Sequence, residues 1–217
     1  MNRIIYFKIL FQLVLALAFS AAHAGAYEDF FKAVTVDDAT TVERLLQRGF
    51  DPNSRNEDGQ PALLLCMREG SERVAEVLLR SPTLEPDLAN AAGETALMMA
   101  ALKGRTEWAR RLAEHGARID REGWSPLHYA ATGGPPELSR WLLDAGARID
   151  ARSPNGTTAL MMASRYGSEA TVHLLLQRGA DARLHNDRQL DAAAFAKLGG
   201  REPLAAMLAA RAASAPE

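Results

Sequence analysis

The segment from Gly123 to Ala147 reads GWSPLHYAATGGPPELSRWLLDAGA, and it contains two short apolar stretches separated by a pair of glycines. Ser125 stands where it can cap a first helix, and Pro126 follows at the first helical position, where the N–H that proline lacks would have no partner in any case. Gly146 follows the second stretch and suits the left-handed residue that ends a helix. The segment therefore predicts two short helices joined by a tight turn.

The same arrangement recurs along the chain. The opening glycine has counterparts at Gly59, Gly93 and Gly156, and the successive spacings are 34, 30 and 33 residues. The hexapeptide TALMMA occurs at residues 95–100 and again at 158–163. The second apolar stretch of each unit ends in a similar sequence: LLQRG at 45–49, LAEHGA at 112–117, LLDAGA at 142–147 and LLQRGA at 175–180. Periods of this length are typical of solenoids built from stacked units.

The shared pattern is G-x-[ST]-P-L-H-x-A, then a glycine, then Leu-Leu-x-x-Gly-Ala, and over roughly Tyr27 to Ala210 it resembles the ankyrin repeat. The resemblance implies an all-α fold, an ankyrin-repeat solenoid of stacked helix-turn-helix units with β-turn or hairpin tips. Gln189 replaces the opening glycine of the last unit, as expected of a terminal cap. We expect a domain at 25–210, with an N-terminal cap at 26–55, repeats at about 56–89, 90–121, 122–152 and 153–185, a C-terminal cap at 186–210 and a flexible tail at 211–217.

One turn between repeats is shorter than the others. Six residues follow Asp150 up to and including Gly156, whereas only three follow Asp120 up to and including Gly123. A deletion within a helix would rotate its apolar face away from the core, whereas a surface turn tolerates shortening. The missing residues are therefore expected to come from the projecting tip between the second and third repeats.

The first 24 residues have the features of a signal peptide. Arg3 and Lys8 precede or enter an apolar run, and the segment ends in Ala22-His23-Ala24, a small-x-small cleavage pattern. We expect cleavage after Ala24 and a periplasmic protein, with an uncleaved membrane anchor as the alternative. Removing two basic residues from 25 leaves 23 against 27 acidic ones, a charge of about −4 that disfavours nucleic acid. The single cysteine excludes an internal disulfide.

No residue pattern predicts catalysis, a cofactor or a metal site. Cys66 takes the place of a packed alanine and is expected to be buried and inert. The resemblance assigns His128 a structural hydrogen bond to a neighbouring turn. An enzyme with Glu85 and Asp87 as acids in the irregular loop 81–90 remains a minor alternative.

The resemblance implies contacts to another protein from the tips and from the ends of the first helices. Because Trp, Tyr and Arg dominate interface hot spots, Trp124, Tyr166 and Arg165 are the strongest candidates. For Trp124, burial against the shortened turn is the competing interpretation. The remaining candidates are Glu57, Asp58, Arg68, Glu69, Glu94, Leu102, Lys103, Arg121, Glu122, Asn155 and Thr157.

These features predict a non-enzymatic protein-binding module, monomeric, that binds neither nucleic acid nor, once the signal peptide is cleaved, the membrane. The sequence does not rank three roles for it: an adaptor, an inhibitor or immunity factor, and a protector of an envelope protein. A membrane-anchored scaffold with an uncleaved N-terminal helix is the alternative.

Overall fold

The computed structural model describes residues 25–214, and within that range the chain is all-helical, with no strand and a single isolated bridge between Arg55 and Pro61. The segment 1–24, expected to be a signal peptide, lies outside the described residues. The helices are α1 at 25–35, α2 at Ala39–Gln47, α3 at Ala62–Glu69, α4 at Glu72–Leu79, α5 at Ala96–Leu102, α6 at Thr106–Glu114, α7 at Pro126–Gly133, α8 at Pro136–Asp144, α9 at Ala159–Tyr166, α10 at Glu169–Gln177, α11 at Ala192–Leu198 and α12 at Glu202–Ser214.

The helices stack in pairs, which confirms the predicted fold. The inner helices α3, α5, α7, α9 and α11 pack on one another in chain order, and each also packs on the outer helix that follows it. Ala100, Ala130 and Ala163 are fully buried at equivalent positions of the inner helices, and these small side chains let neighbouring helices approach closely. Cys66 occupies the same position and is equally buried, and burial raises the pKa of its thiol. It is therefore inert, as expected.

Several local predictions are confirmed by the helix boundaries. Thr95 and Thr158 hold the position of Ser125 in their own units, and each accepts the main-chain N–H three residues later, which caps α5 and α9. Pro126 is the first residue of α7. Gly146, which follows the outer helix α8, has φ +99, a left-handed conformation that side chains with a Cβ rarely adopt.

Ion pairs link successive units of the stack. Arg105 contacts Glu72, Arg111 contacts Glu76, Arg118 contacts Asp87, and Arg178 contacts Asp144. Arg111 also lies over the ring of Trp108, and Arg110 over that of Trp141. These two tryptophans of the outer helices thus have structural roles.

The C-terminal boundary differs from the expectation. The closing helix α12 continues to Ser214, four residues beyond the expected end of the cap at 210, because this stretch is rich in alanine and Ala212 still packs on the core. Of the expected tail at 211–217, residues 215–217 lie outside the described range. None of the helices at 25–214 is long and apolar enough to cross a bilayer.

Candidate protein-binding surface

Four of the tips close in the same way. In each, the main chain of the first residue bonds to that of the fifth: Asn56 N–H to Gln60 O, Asn90 N–H to Glu94 O, Ser153 N–H to Thr157 O and Asn186 N–H to Leu190 O, at 2.9 to 3.0 Å. The side chain of the first residue also accepts main-chain N–H groups of its own turn. Each of these tips is therefore a rigid hairpin turn.

The tip of the third repeat lacks this closure. Among the described residues no main-chain hydrogen bond joins Asp120 to Trp124, and the segment is a series of bends. Asp120 instead accepts a hydrogen bond from Arg148 Nε at 2.5 Å. The equivalent acids Asp87 and Asp150 accept a main-chain N–H from the following repeat. The shortened turn is thus confirmed, and it interrupts the row of tips.

The interruption leaves a cleft of about 760 Å³, which we call the tip cleft; Glu122, Gly123 and residues 148–152 line it. Two polar atoms at the shortened turn, Asp120 Oδ1 and Arg121 Nη1, are buried without a hydrogen-bond partner in the described part of the chain. Burial raises the pKa of Asp150, which also lines the cleft. Charged side chains from the third and fourth tips thus line an open cleft.

Trp124 lies beside the cleft as part of an aromatic cluster with His128 and Tyr129. Its ring meets those of His128 and Tyr129 edge to face, with centroids 5.3 and 6.3 Å apart. It is half-buried, and its ring packs on α7, so the interpretation as a buried residue holds in part. Its role as a partner anchor stays a prediction. An aromatic side chain held in this way is suited to anchor a partner, because little conformational freedom remains to be lost on binding.

Tyr129 is a candidate contact residue that sequence reasoning missed. Its hydroxyl donates to Glu94 Oε1 at 2.9 Å, and Asn90 Nδ2 donates to Glu94 Oε2 at 2.8 Å and to Gln60 Oε1 at 3.0 Å. Burial and the neighbouring carboxylate raise the pKa of Tyr129. The position carries methionine in the second and fourth repeats, so a tyrosine there was the available signal. A polar chain thus joins three repeats along the inner surface.

His128 is structural, as the resemblance implied. Ser125 N–H donates to its Nδ1 at 3.2 Å, and its Nε2 lies 3.0 Å from Thr157 O. Burial lowers the pKa of His128, which favours the neutral ring.

The ends of the inner helices form a second row of candidates. Arg68 and Glu69 neutralise each other in an ion pair at 2.8 Å. In the third repeat the corresponding residues are Thr132 and Gly133, which have small side chains or none. A Cβ at Gly133 would lie 2.5 Å from Leu102 O, so no side chain fits there. In the fourth repeat the Arg165 guanidinium lies 4.9 Å from the ring centroid of Tyr166, and Tyr166 is 54% exposed.

Accessibility sorts the sequence-predicted contact residues into three groups. Glu57, Asp58, Arg68, Glu69, Lys103, Glu122, Asn155 and Tyr166 are exposed. Glu94, Leu102, Arg121, Trp124 and Arg165 are half-buried. Thr157 is wrong as a contact residue, because it is 2% exposed and its main chain bonds to Ser153 and His128.

The loop at 81–90 gives the enzymatic alternative no support. Asp87 accepts hydrogen bonds from the main chain and side chain of Arg118, so its carboxylate joins two repeats. Glu85 is exposed, and its N–H donates to Asn53. Within residues 25–214, no three His, Cys, Asp or Glu side chains come together in a way that could hold a metal ion.

Comparisons with known proteins agree with this architecture. The family model described as ankyrin repeats (3 copies) matches residues 30–122, 78–153 and 119–186. The chain is 33% identical over 159 residues to the B-cell lymphoma 3 protein homolog of Mus musculus, a match that covers 69% of this chain and 36% of that protein. It is 35% identical over 171 residues to a putative ankyrin repeat-containing protein of Treponema pallidum (strain Nichols), covering 79% and 47%. The chain therefore spans between about a third and a half of these relatives.

Among solved structures, the chain matches one chain of the complex between the predatory endopeptidase Bd0816 from Bdellovibrio bacteriovorus and the immunity protein Bd3460. The TM-score is 0.71 at 27% identity, and the match covers 84% of this chain and 97% of that chain. Ankyrin repeats are protein-binding modules that in general have no enzymatic activity. With three family matches across residues 30–186, this chain belongs to the ankyrin-repeat family.

Proposed function

We propose that this protein acts in the bacterial periplasm as a non-enzymatic inhibitor or immunity factor that binds an exported enzyme. The observation that carries the proposal is the aromatic cluster at the interrupted tip row, where Trp124 is half-buried and Tyr129 bonds to Glu94. A rigid, partly exposed tryptophan beside an open cleft is the arrangement expected of an interface hot spot.

Two further observations support the choice among the three roles that the sequence left open. A solved complex between an endopeptidase and an immunity protein contains a chain that is matched over 97% of its length by 84% of this one. The N-terminal features, Arg3, Lys8 and Ala22-His23-Ala24, favour export to a compartment in which such enzymes act. An inhibitor also needs no catalytic residue of its own, whereas it does need a rigid surface.

The test is capture from the native host. The tagged protein is expressed in its host, crosslinked in the envelope fraction, and its partners are identified by mass spectrometry. We expect one dominant partner with enzymatic activity, and we expect the purified protein to inhibit that activity. Trp124→Ala combined with Tyr166→Ala should abolish both capture and inhibition. Mass spectrometry of the recovered protein should find Gly25 at the N-terminus, whereas Met1 would indicate the uncleaved anchor.

A matched control is Trp141→Ala, which removes a half-buried tryptophan from the outer helix α8. It should leave capture unchanged. A partner whose activity is unaffected would indicate an adaptor or a protector instead. If the double variant unfolds with a loss of about 3 kcal/mol or more per aromatic side chain, these residues belong to the core and the site assignment is wrong.

A further inference from the structure

Two large apolar side chains are exposed side by side at the C-terminal end of the inner helix row. Tyr166 is 54% exposed and Leu198 is 55% exposed, and of the other large apolar side chains in the described range only Val36 is exposed to this degree. Tyr166 ends α9 and Leu198 ends α11, and these helices pack directly on each other. A Cβ at Gly199 would lie 2.7 Å from Arg165 O, so the two helix ends are in contact.

Cations flank this apolar pair. Arg165 lies over the Tyr166 ring, and Lys197, which precedes Leu198, is exposed. Neither cation has a carboxylate within 4.0 Å in the described part of the chain. The first repeat differs here, since its Arg68 is neutralised by the adjacent Glu69. We call Arg165, Tyr166, Lys197 and Leu198 the C-terminal patch.

The scaffold beneath the patch is rigid. Arg201 Nη1 donates to the carbonyl oxygens of Ala163, Ser164 and Gly167 at 3.1, 3.0 and 2.9 Å, which fixes the cap to the end of α9. Arg201 Nη2 also lies 3.6 Å from Glu169 Oε1. Because these contacts neutralise Arg201 and Glu169 locally, the two unpaired cations set the charge of the patch.

We propose that the C-terminal patch binds a segment of the partner protein that is both acidic and apolar. The inference rests on the proposed function, because it identifies the chemistry of the partner for the same inner surface. Carboxylates of the segment would pair with Arg165 and Lys197, and an aliphatic or aromatic side chain would cover Tyr166 and Leu198. Opposite charges placed around an apolar contact favour one partner over others and raise the association rate.

Charge distribution argues against an anionic membrane as the occupant. Recognition of acidic lipids generally uses clusters of four to eight basic residues. The C-terminal patch has two unpaired cations, and the whole chain carries a net charge of −2. A protein segment with two or more carboxylates matches the patch better.

The test uses two labelled peptides, one of alternating Glu and Leu and one with Lys in place of each Glu. Binding to the purified protein is followed by fluorescence anisotropy. We expect the Glu peptide to bind more tightly than the Lys peptide, and Arg165→Glu with Lys197→Glu to weaken it about tenfold or more. Tyr166→Ser with Leu198→Ser should weaken it as well. Arg44→Glu with Arg140→Glu, the same charge change on exposed residues of outer helices, should have no effect.

Equal binding of the two peptides, or equal binding by the patch and control variants, would overturn the proposal. Co-sedimentation with vesicles containing phosphatidylglycerol, lost on charge reversal of the patch, would assign it to a lipid surface instead. Sedimentation equilibrium showing a dimer that Tyr166→Ser with Leu198→Ser dissociates would assign it to a second copy of the chain.

The two proposals fail in different ways. If an envelope enzyme is captured equally well by the protein and by its charge-reversed variant, the binding function stands and the C-terminal patch is not part of it. If the Glu peptide binds in a charge-dependent manner but no enzyme is captured from the envelope, the chemistry of the patch stands and the inhibitory function fails.

Discussion

His128 Nε2 lies 3.0 Å from Thr157 O, which ties the first helix of the third repeat to the tip of the fourth. Because Ser125 N–H donates to Nδ1, the neutral ring carries its proton on Nε2 and donates it to that carbonyl oxygen. One side chain therefore satisfies two main-chain groups from two repeats. The contact lies at the interrupted tip row, where the neighbouring turn has lost its own main-chain closure.

We expect His128→Ala to destabilise the protein by about 2 to 4 kcal/mol, because it leaves a cavity and an unpaired Ser125 N–H in a site that is 1% exposed. His128→Met should be less harmful. Methionine occupies the equivalent position in two repeats, and in one of them Met161 Sδ accepts the N–H of Thr158 at 3.4 Å. Urea unfolding followed by circular dichroism measures both changes. If the two variants lost equal free energy of unfolding, the volume of the side chain at this position would not be what stabilises the protein.

His128 also predicts a dependence of stability on pH. Burial lowers its pKa in the folded protein below the value of about 6.5 that applies when the chain is unfolded. Below that pH the unfolded chain takes up a proton that the folded chain resists, so this contribution to stability is complete above about pH 6.5 and declines as the pH falls.

The measurement is the free energy of unfolding from pH 7.5 down to pH 5, a range chosen to stay above the titration of most carboxyl groups. The His128→Met variant should show a flatter profile than the unsubstituted protein. The three other histidines in the described range, His115, His173 and His185, are exposed and present in both proteins, so they cancel in the comparison. Parallel profiles would mean that His128 is not responsible.

The fold could be predicted from sequence because each unit carries its own local signals. Thr95 and Gly146 act on their own helices, so their roles follow from sequence position alone. The candidate binding surface was harder to predict from sequence, because contacts between repeats determine which of its side chains are exposed. Thr157 has the position of a contact residue but is covered by His128, and Tyr129 is oriented by Glu94 from the preceding repeat. Leu198 belongs to a cap without the repeat pattern, so its exposure could not be inferred.

Gln189 is a site at which stability can be gained. It has φ +58, at the position where the other tips have glycine with φ between +72 and +80. A left-handed residue with a Cβ costs about 1 to 2 kcal/mol. We expect Gln189→Gly to raise the free energy of unfolding by about 0.5 to 1 kcal/mol, because greater freedom of glycine in the unfolded chain offsets part of the gain. A thermal melt checks this, and a lower melting temperature would contradict it.

Arg201 is expected to hold the C-terminal cap on the last repeat. Arg201→Ala removes one cation that serves three carbonyl oxygens, and we expect a loss of about 1.5 to 3 kcal/mol, in the range of hydrogen bonds to charged groups. Hydrogen exchange should show faster exchange confined to α11 and α12. Arg211→Ala, an exposed arginine on the same closing helix, is the control. Uniformly faster exchange in all repeats would instead indicate a global loss of stability.

The tip cleft can be closed by restoring the three missing residues. Insertion of Ala-Arg-Ser between Asp120 and Arg121 copies residues 151–153 of the next tip and should allow the hairpin bonds that the other tips form. We expect stability to be kept or improved, and binding of the captured enzyme to weaken, because the restored hairpin fills the cleft beside Trp124. The same insertion between Thr83 and Leu84, in an outer loop, should leave binding unchanged. Titration calorimetry measures the affinity of each variant for the captured enzyme. Unchanged affinity after the insertion at Asp120 would show that the enzyme does not bind in the cleft.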